Sequence, residues 1–239
     1  MLEGIPSLLR FSNQFTQHFV DSIVDHNVAN VVFGGGGMYV GAGSNATILN
    51  STFFANASDH DGGGIYNHGG TVSIAFSTIA LNIAHASSPG DVGGGGIARG
   101  GSGSFFIASS ILADNIDSSG QGPDCAGAIQ ITNWTLLRDP SGCAPGGQPA
   151  ELISGVNPQL SSLALQGGHT PTLGLSVASP AHGVLVNPDQ CVDTTGRPVL
   201  TDQRGLARPT SGYGAAAASM CDLGAFQGTS DVIFADGFE

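Results

Sequence analysis

The chain has 239 residues, 41% of them hydrophobic and only 10% charged, with 38 glycines and a formal net charge of −12. Such a balance excludes a disordered polyelectrolyte, and the six cationic residues, all arginine, form no basic patch that could release counterions from a nucleic acid. No run approaches the ~20 apolar residues of a membrane-spanning helix.

The chain opens with "MLEGIPSLLRFSNQF", which has neither a basic leader region nor a long apolar stretch, so no export signal is visible. Residues 2–20 read as part of a repeat, and the N-terminus reads as truncated. A phrase then recurs: Ser, a mainly apolar stretch, then Asn. It stands as "SIVDHN" (22–27), "STFFAN" (51–56), "STIALN" (77–82) and "SILADN" (110–115). Between these phrases lie the glycine runs "GGGGMYVGAG" (34–43), "GGGIYNHGG" (62–70) and "GGGGIARGG" (93–101). Each period carries short β-branched and aromatic runs with alternation and no helical stripe, which predicts two or three short strands per repeat. A unit of this size cannot bury its own apolar face, whereas a stack of such units can, which predicts an all-β solenoid with parallel pairing between repeats. Stacking would place Asn27, Asn56, Asn82 and Asn115 in one inward structural ladder of amides, with the glycine runs at another corner where backbones come close. Removing one rung, as in Asn82→Leu, is expected to cost about 1–3 kcal/mol.

The four cysteines, Cys125, Cys143, Cys191 and Cys221, all lie in the second half and form no C-x-x-C pair. They read as two disulfides in an oxidising compartment. Of the three pairings open to them, the local ones, Cys125–Cys143 and Cys191–Cys221, are preferred.

The stretch "STFFANASDHDGGGIYNHGGTVSIAFSTIALN" resembles the polymorphic outer membrane protein repeat, marked by a G-G-[AI] phrase and an F-x-x-N phrase, over about residues 20–125. The resemblance implies a right-handed parallel β-helix on a secreted or surface-exposed bacterial protein. Further on, "NPQLSSLALQGGHTPTLGLSVASPAHG" (157–183), "TDQRGLARP" (201–209) and "CDLGAFQ" (221–227) resemble the choice-of-anchor Q region, with departures at Gln227 and His182. The closing "IFADGFE" resembles a C-terminal tail of exported Gram-negative proteins. Together these imply repeats over 1–143 and a disulfide-pinned C-terminal cap over 144–239 that covers the open end of the solenoid.

One cluster of reactive side chains stands out. "SDHDGGG" supplies Asp59, His60 and Asp61 just after Asn56; His85 lies three residues after Asn82, as Asp59 does after Asn56, and Asp91 closes the same loop. Stacked repeats would bring these side chains to one loop edge, where Asp59, His60, Asp61, His85 and Asp91 could hold a divalent metal, or Asp59, His60 and His85 could act as acid and base. Two functions follow. One is a non-catalytic, adhesin- or passenger-like module, secreted or on a cell surface, with a carbohydrate or other surface ligand as partner. The alternative is a β-helical enzyme, a metal-assisted hydrolase or a carbohydrate-active lyase or hydrolase, working at that loop edge.

Overall fold

The computed structural model describes residues 9–11, 15–30, 34–87, 90–209 and 220–228, so the closing "IFADGFE" lies outside the described residues. Apart from two three-residue 3-10 turns, Pro149–Glu151 and Pro188–Gln190, the regular elements are strands. Nearly all pair in parallel, each with its counterpart one repeat away. Every early repeat lays down four strands in turn. In the second repeat these are Met38–Val40 in sheet A, Asn45–Leu49 in sheet B, Thr52–Phe54 in sheet C and Ala57–Ser58 in sheet D. The third repeat pairs with it without a slip: Met38↔Ile65, Asn45↔Thr71, Thr52↔Thr78 and Ala57↔Ile83. Sheets A and B merge into one ten-stranded sheet through Cys125–Ile131, which pairs with both.

In-register stacking puts like residues on like residues. Inside, Val24, Phe53, Ile79, Leu112 and Leu137 form one column from sheet C. Ile48, Ile74, Ile107 and Ile131 form the facing column from sheet B. Apart from Val24, all of these side chains are fully buried, and each contributes about 1.5–3 kcal/mol relative to exposure.

The Ser…Asn phrase marks two corners five residues apart. The residue before each ladder residue adopts a left-handed conformation although it is not glycine: Asn50, Phe76 and Ser109 before Ser51, Ser77 and Ser110, and Ala55, Leu81 and Asp114 before Asn56, Asn82 and Asn115. Such backbone is unfavourable unless its surroundings hold it. The ladder side chains brace it by reaching back two residues. Ser51 Oγ donates to Leu49 O (2.8 Å) and Asn82 Nδ2 to Ala80 O (3.2 Å).

The same side chains join the repeats. Asn82 Oδ1 accepts from both N and Nδ2 of Asn56 (3.0 and 2.9 Å), and Asn115 Oδ1 accepts the same pair from Asn82 (3.0 and 2.9 Å). Asn27 donates likewise to Asn56. A second ladder, of serine, runs beside it: the backbone N–H of Ser51 donates to Ser77 Oγ and that of Ser77 to Ser110 Oγ. The glycine runs lie against the amides. A Cβ on Gly64 would sit 3.2 Å from the Asn82 carboxamide carbon, and one on Gly96 would sit 2.9 Å from Asn115 Nδ2. Glycine is needed there for close approach.

Because every asparagine donates towards the C-terminal end, the last rung must only accept. It is a carboxylate. Asp124 Oδ1 accepts from N and Nδ2 of Asn115 (3.2 and 2.8 Å), and its Oδ2 accepts from Asp139 N (2.7 Å). Burial pushes the Asp124 carboxyl above its ordinary 3.8, against the lowering pull of those hydrogen bonds. A raised folded pKa means that folding takes up a proton, so this group's contribution is fully present below 3.8 and is lost as pH rises through the folded value. Urea melts between pH 4 and 7 should therefore show wild type losing stability relative to Asp124→Asn as pH rises. A pH-independent difference would contradict the burial of this carboxyl.

Beyond the fourth Asn, parallel pairing continues. Cys143–Gly147 pairs with Cys125–Ile131, and Leu152–Ser154 with Thr135–Leu137, so the stack runs on past the boundary expected at 143/144. The disulfides are Cys125–Cys143, which joins adjacent repeats, and Cys191–Cys221, within the C-terminal region.

The placement of the C-terminal region corrects the expectation of a cap over the open end. The described residues 158–209 and 220–228 lie along the flank, as a strap. Asn50 Nδ2 donates to Thr201 O (2.8 Å), Ala225 N to Thr78 Oγ1 (3.0 Å), Gly224 N to Ser109 O (2.8 Å) and Asn133 Nδ2 to Gln190 O (2.8 Å). These contacts cross four successive repeats. The reason is chemical: the B–C corner and the outer face of sheet C carry Phe76, Ile111 and Leu136, which bury themselves against Ala181, Leu185, Val199 and Leu223 of the strap.

Candidate functional site

The loop edge after sheet D is built by the register of that sheet. Ala57↔Ile83 and Ser58↔Ala84 bring Asp59 and His85 side by side, and the His85 N–H donates to Ser58 O (2.8 Å). One repeat further, Ala84↔Asp117 sets Ser118 beside His85. Chain geometry therefore puts Asp59, His85 and Ser118 in one column.

The side chains do not converge on one point. His60 Nδ1 lies 3.1 Å from Asp91 Oδ1 and 3.3 Å from its Oδ2. His85 turns the other way, with Nδ1 3.1 Å from Ser118 Oγ. Asp59 is exposed. Asp61 is 6% exposed and accepts the backbone N–H groups of Val92 (2.7 Å) and Gly93 (2.9 Å) on one oxygen. It thereby ties its own loop to the loop of the next repeat. Among the described residues no three His, Cys, Asp or Glu side chains come together as a metal site. Upstream, Asp25 and His26 pair with each other at 3.0 Å.

Burial raises the Asp61 carboxyl above the ordinary range, opposed by its two backbone hydrogen bonds. It also faces groups that the loop motif did not reveal. Tyr66, 9% exposed, has its hydroxyl pushed up to about 12, first by burial and then by the negative charge of Asp61. Its oxygen is 3.2 Å from His68 Nδ1. Tyr39 packs edge-on to Tyr66 at 5.8 Å and stacks with His68 at 6.2 Å. The signal for the tyrosine pair was present in the glycine phrases, since "MYV" and "IYN" hold Tyr39 and Tyr66 in matching places.

Chemically, the edge offers a His–Asp pair, a buried carboxyl held by backbone amides, and a tyrosine that stays protonated at neutral pH. Each defined contact links one repeat to the next or braces a loop. In comparisons with known proteins, no family model, no curated protein and no solved structure matched this chain.

Proposed function

We propose that this protein is a non-catalytic module, secreted or displayed on a cell surface, and that its stack is a right-handed parallel β-helix. Right-handedness follows from the general rule for parallel crossover connections. The two disulfides, and the absence of any described helix long and apolar enough to cross a membrane, suit an extracellular setting. One observation carries the functional reading. The polar side chains that would do chemistry at the loop edge are engaged between repeats: Asp61 with Val92 and Gly93, His60 with Asp91, His85 with Ser118.

The enzyme reading keeps one point in its favour, the raised carboxyl of Asp61 close to the His60–Asp91 pair. Two measurements separate the readings. Metal analysis and a hydrolase and lyase screen on the purified protein should find no stoichiometric metal and no turnover. Asp61→Ala should cost about 1–3 kcal/mol in urea melts, because it strands two backbone donors. Turnover abolished by His60→Ala or His85→Ala with an unchanged melt would overturn the proposal.

A further inference from the structure

Most Ser, Thr and Asn side chains at the corners are committed to hydrogen bonds between repeats or to the strap. The outer face of sheet B differs. Register aligns Thr47, Ser73, Phe106 and Gln130 in one outward column and Asn45, Thr71 and Ser104 in the next. Neither column contains a charged residue between Asn45 and Gln130, in a chain whose net charge is −12. Thr47, Thr71, Ser73 and Ser104 are partly exposed, and their hydroxyls make no hydrogen bond among the described residues. At the side of this face the strap raises a wall. A small open dimple lies between Thr47 and Ser73 on the floor and the turn Asp193, Thr194, Thr195. Asp193 holds that turn with one oxygen, which accepts from Thr195 N (2.7 Å) and Arg197 N (3.1 Å); its other oxygen has no such bond.

We propose that this face is a binding site for a neutral glycan, lying across the strands along the stack. The inference rests on the surface-module reading and names its ligand. A flat array of free hydroxyls and amides, repeated about every 4.8 Å between strands, offers the alternating donors and acceptors that a chain of sugar hydroxyls needs. Phe106, next in the column after Ser73, presents an aromatic ring against which the C–H face of a sugar can pack. The free oxygen of Asp193 accepts a sugar hydroxyl at the wall. The surrounding negative charge disfavours uronates, sulfated glycans and nucleic acids.

The test is isothermal titration of the full chain with cellohexaose, maltohexaose, xylohexaose and mannohexaose, with oligogalacturonate as the anionic control. At least one neutral hexasaccharide should bind, and the control should not. Phe106→Ala should weaken binding tenfold or more, and the Thr47→Val, Ser73→Ala pair to a similar degree, with unchanged circular dichroism. Ile116→Ser, on the exposed face of sheet D, should leave it unchanged. Failure of all four neutral probes to bind, binding that survives both face variants, or preferential binding of oligogalacturonate would overturn the proposal. The surface-module reading fails separately, if a bound hexasaccharide is cleaved.

Discussion

Arg208→Ala is expected to lower the unfolding free energy by about 3–5 kcal/mol, the cost of removing one partner from a buried charge network. The Arg208 side chain is 3% exposed. It donates to the carbonyls of Gly224 (2.7 Å), Thr201 (3.2 Å) and Asp222 (3.2 Å), and to Oε1 of Gln227 (3.3 Å). Its guanidinium also sits 4.2 Å above the Phe76 ring, so one side chain joins the strap to the B–C corner. Burial lowers its pKa to about 10, while Asp202 and Asp222 pull the other way, so it stays charged at neutral pH. Alanine would leave several carbonyls without donors and two buried carboxylates without this cation. Arg208→Lys keeps the charge but loses the planar fork and should recover only part of the loss. Trp134, the single tryptophan, packs against the strap-facing cluster and gives the fluorescence readout. A change within about 0.5 kcal/mol, the range of an ordinary surface substitution, would mean that the strap is not held here.

Asn82→Leu should cost more than the 1–3 kcal/mol that a single stranded partner implies. In the structure its side chain makes five polar contacts: two accepted from Asn56, and three from Nδ2, whose two N–H groups are shared among Asn115 Oδ1, Phe53 O and Ala80 O. Leucine would strand at least two buried donors of Asn56, at about 1–3 kcal/mol each. It would also press a branched carbon towards Gly64, already close to the Asn82 carboxamide. A loss of about 3–5 kcal/mol in urea melts is the expected result. A loss below 1 kcal/mol would mean that the amide of Asn82 is exposed to water.

The stack was legible in the sequence because a repeat writes its neighbours' register into its own period. Counting from Asn56 and Asn82 was enough to set His85 beside Asp59. Which way a side chain turns within its column was not legible, and so His60 faces Asp91 while His85 faces Ser118. The serine ladder was visible as a recurring letter, but its role emerged only with the left-handed residues that precede each serine. The strap was misplaced for a different reason. Thr52, Thr78 and Ile111 sit at outward positions of short strands, where alternation predicts solvent. The strand Ile111–Ala113, where apolar Ile111 stands on the face opposite inward Leu112, carries apolar residues on both faces of sheet C.

The central claim is that the Ser…Asn phrase is the register device of the stack, with its asparagines buried in an unbroken amide ladder. Hydrogen exchange of the side-chain amides, followed by NMR on 15N-labelled protein, tests it most directly. The account predicts that the Nδ2 protons of Asn56, Asn82 and Asn115 exchange as slowly as the core amides of Ile74 and Ile107, while those of exposed Asn45 exchange at the rate of a free peptide. Fast exchange at Asn82 with slow exchange at Ile74 would contradict it.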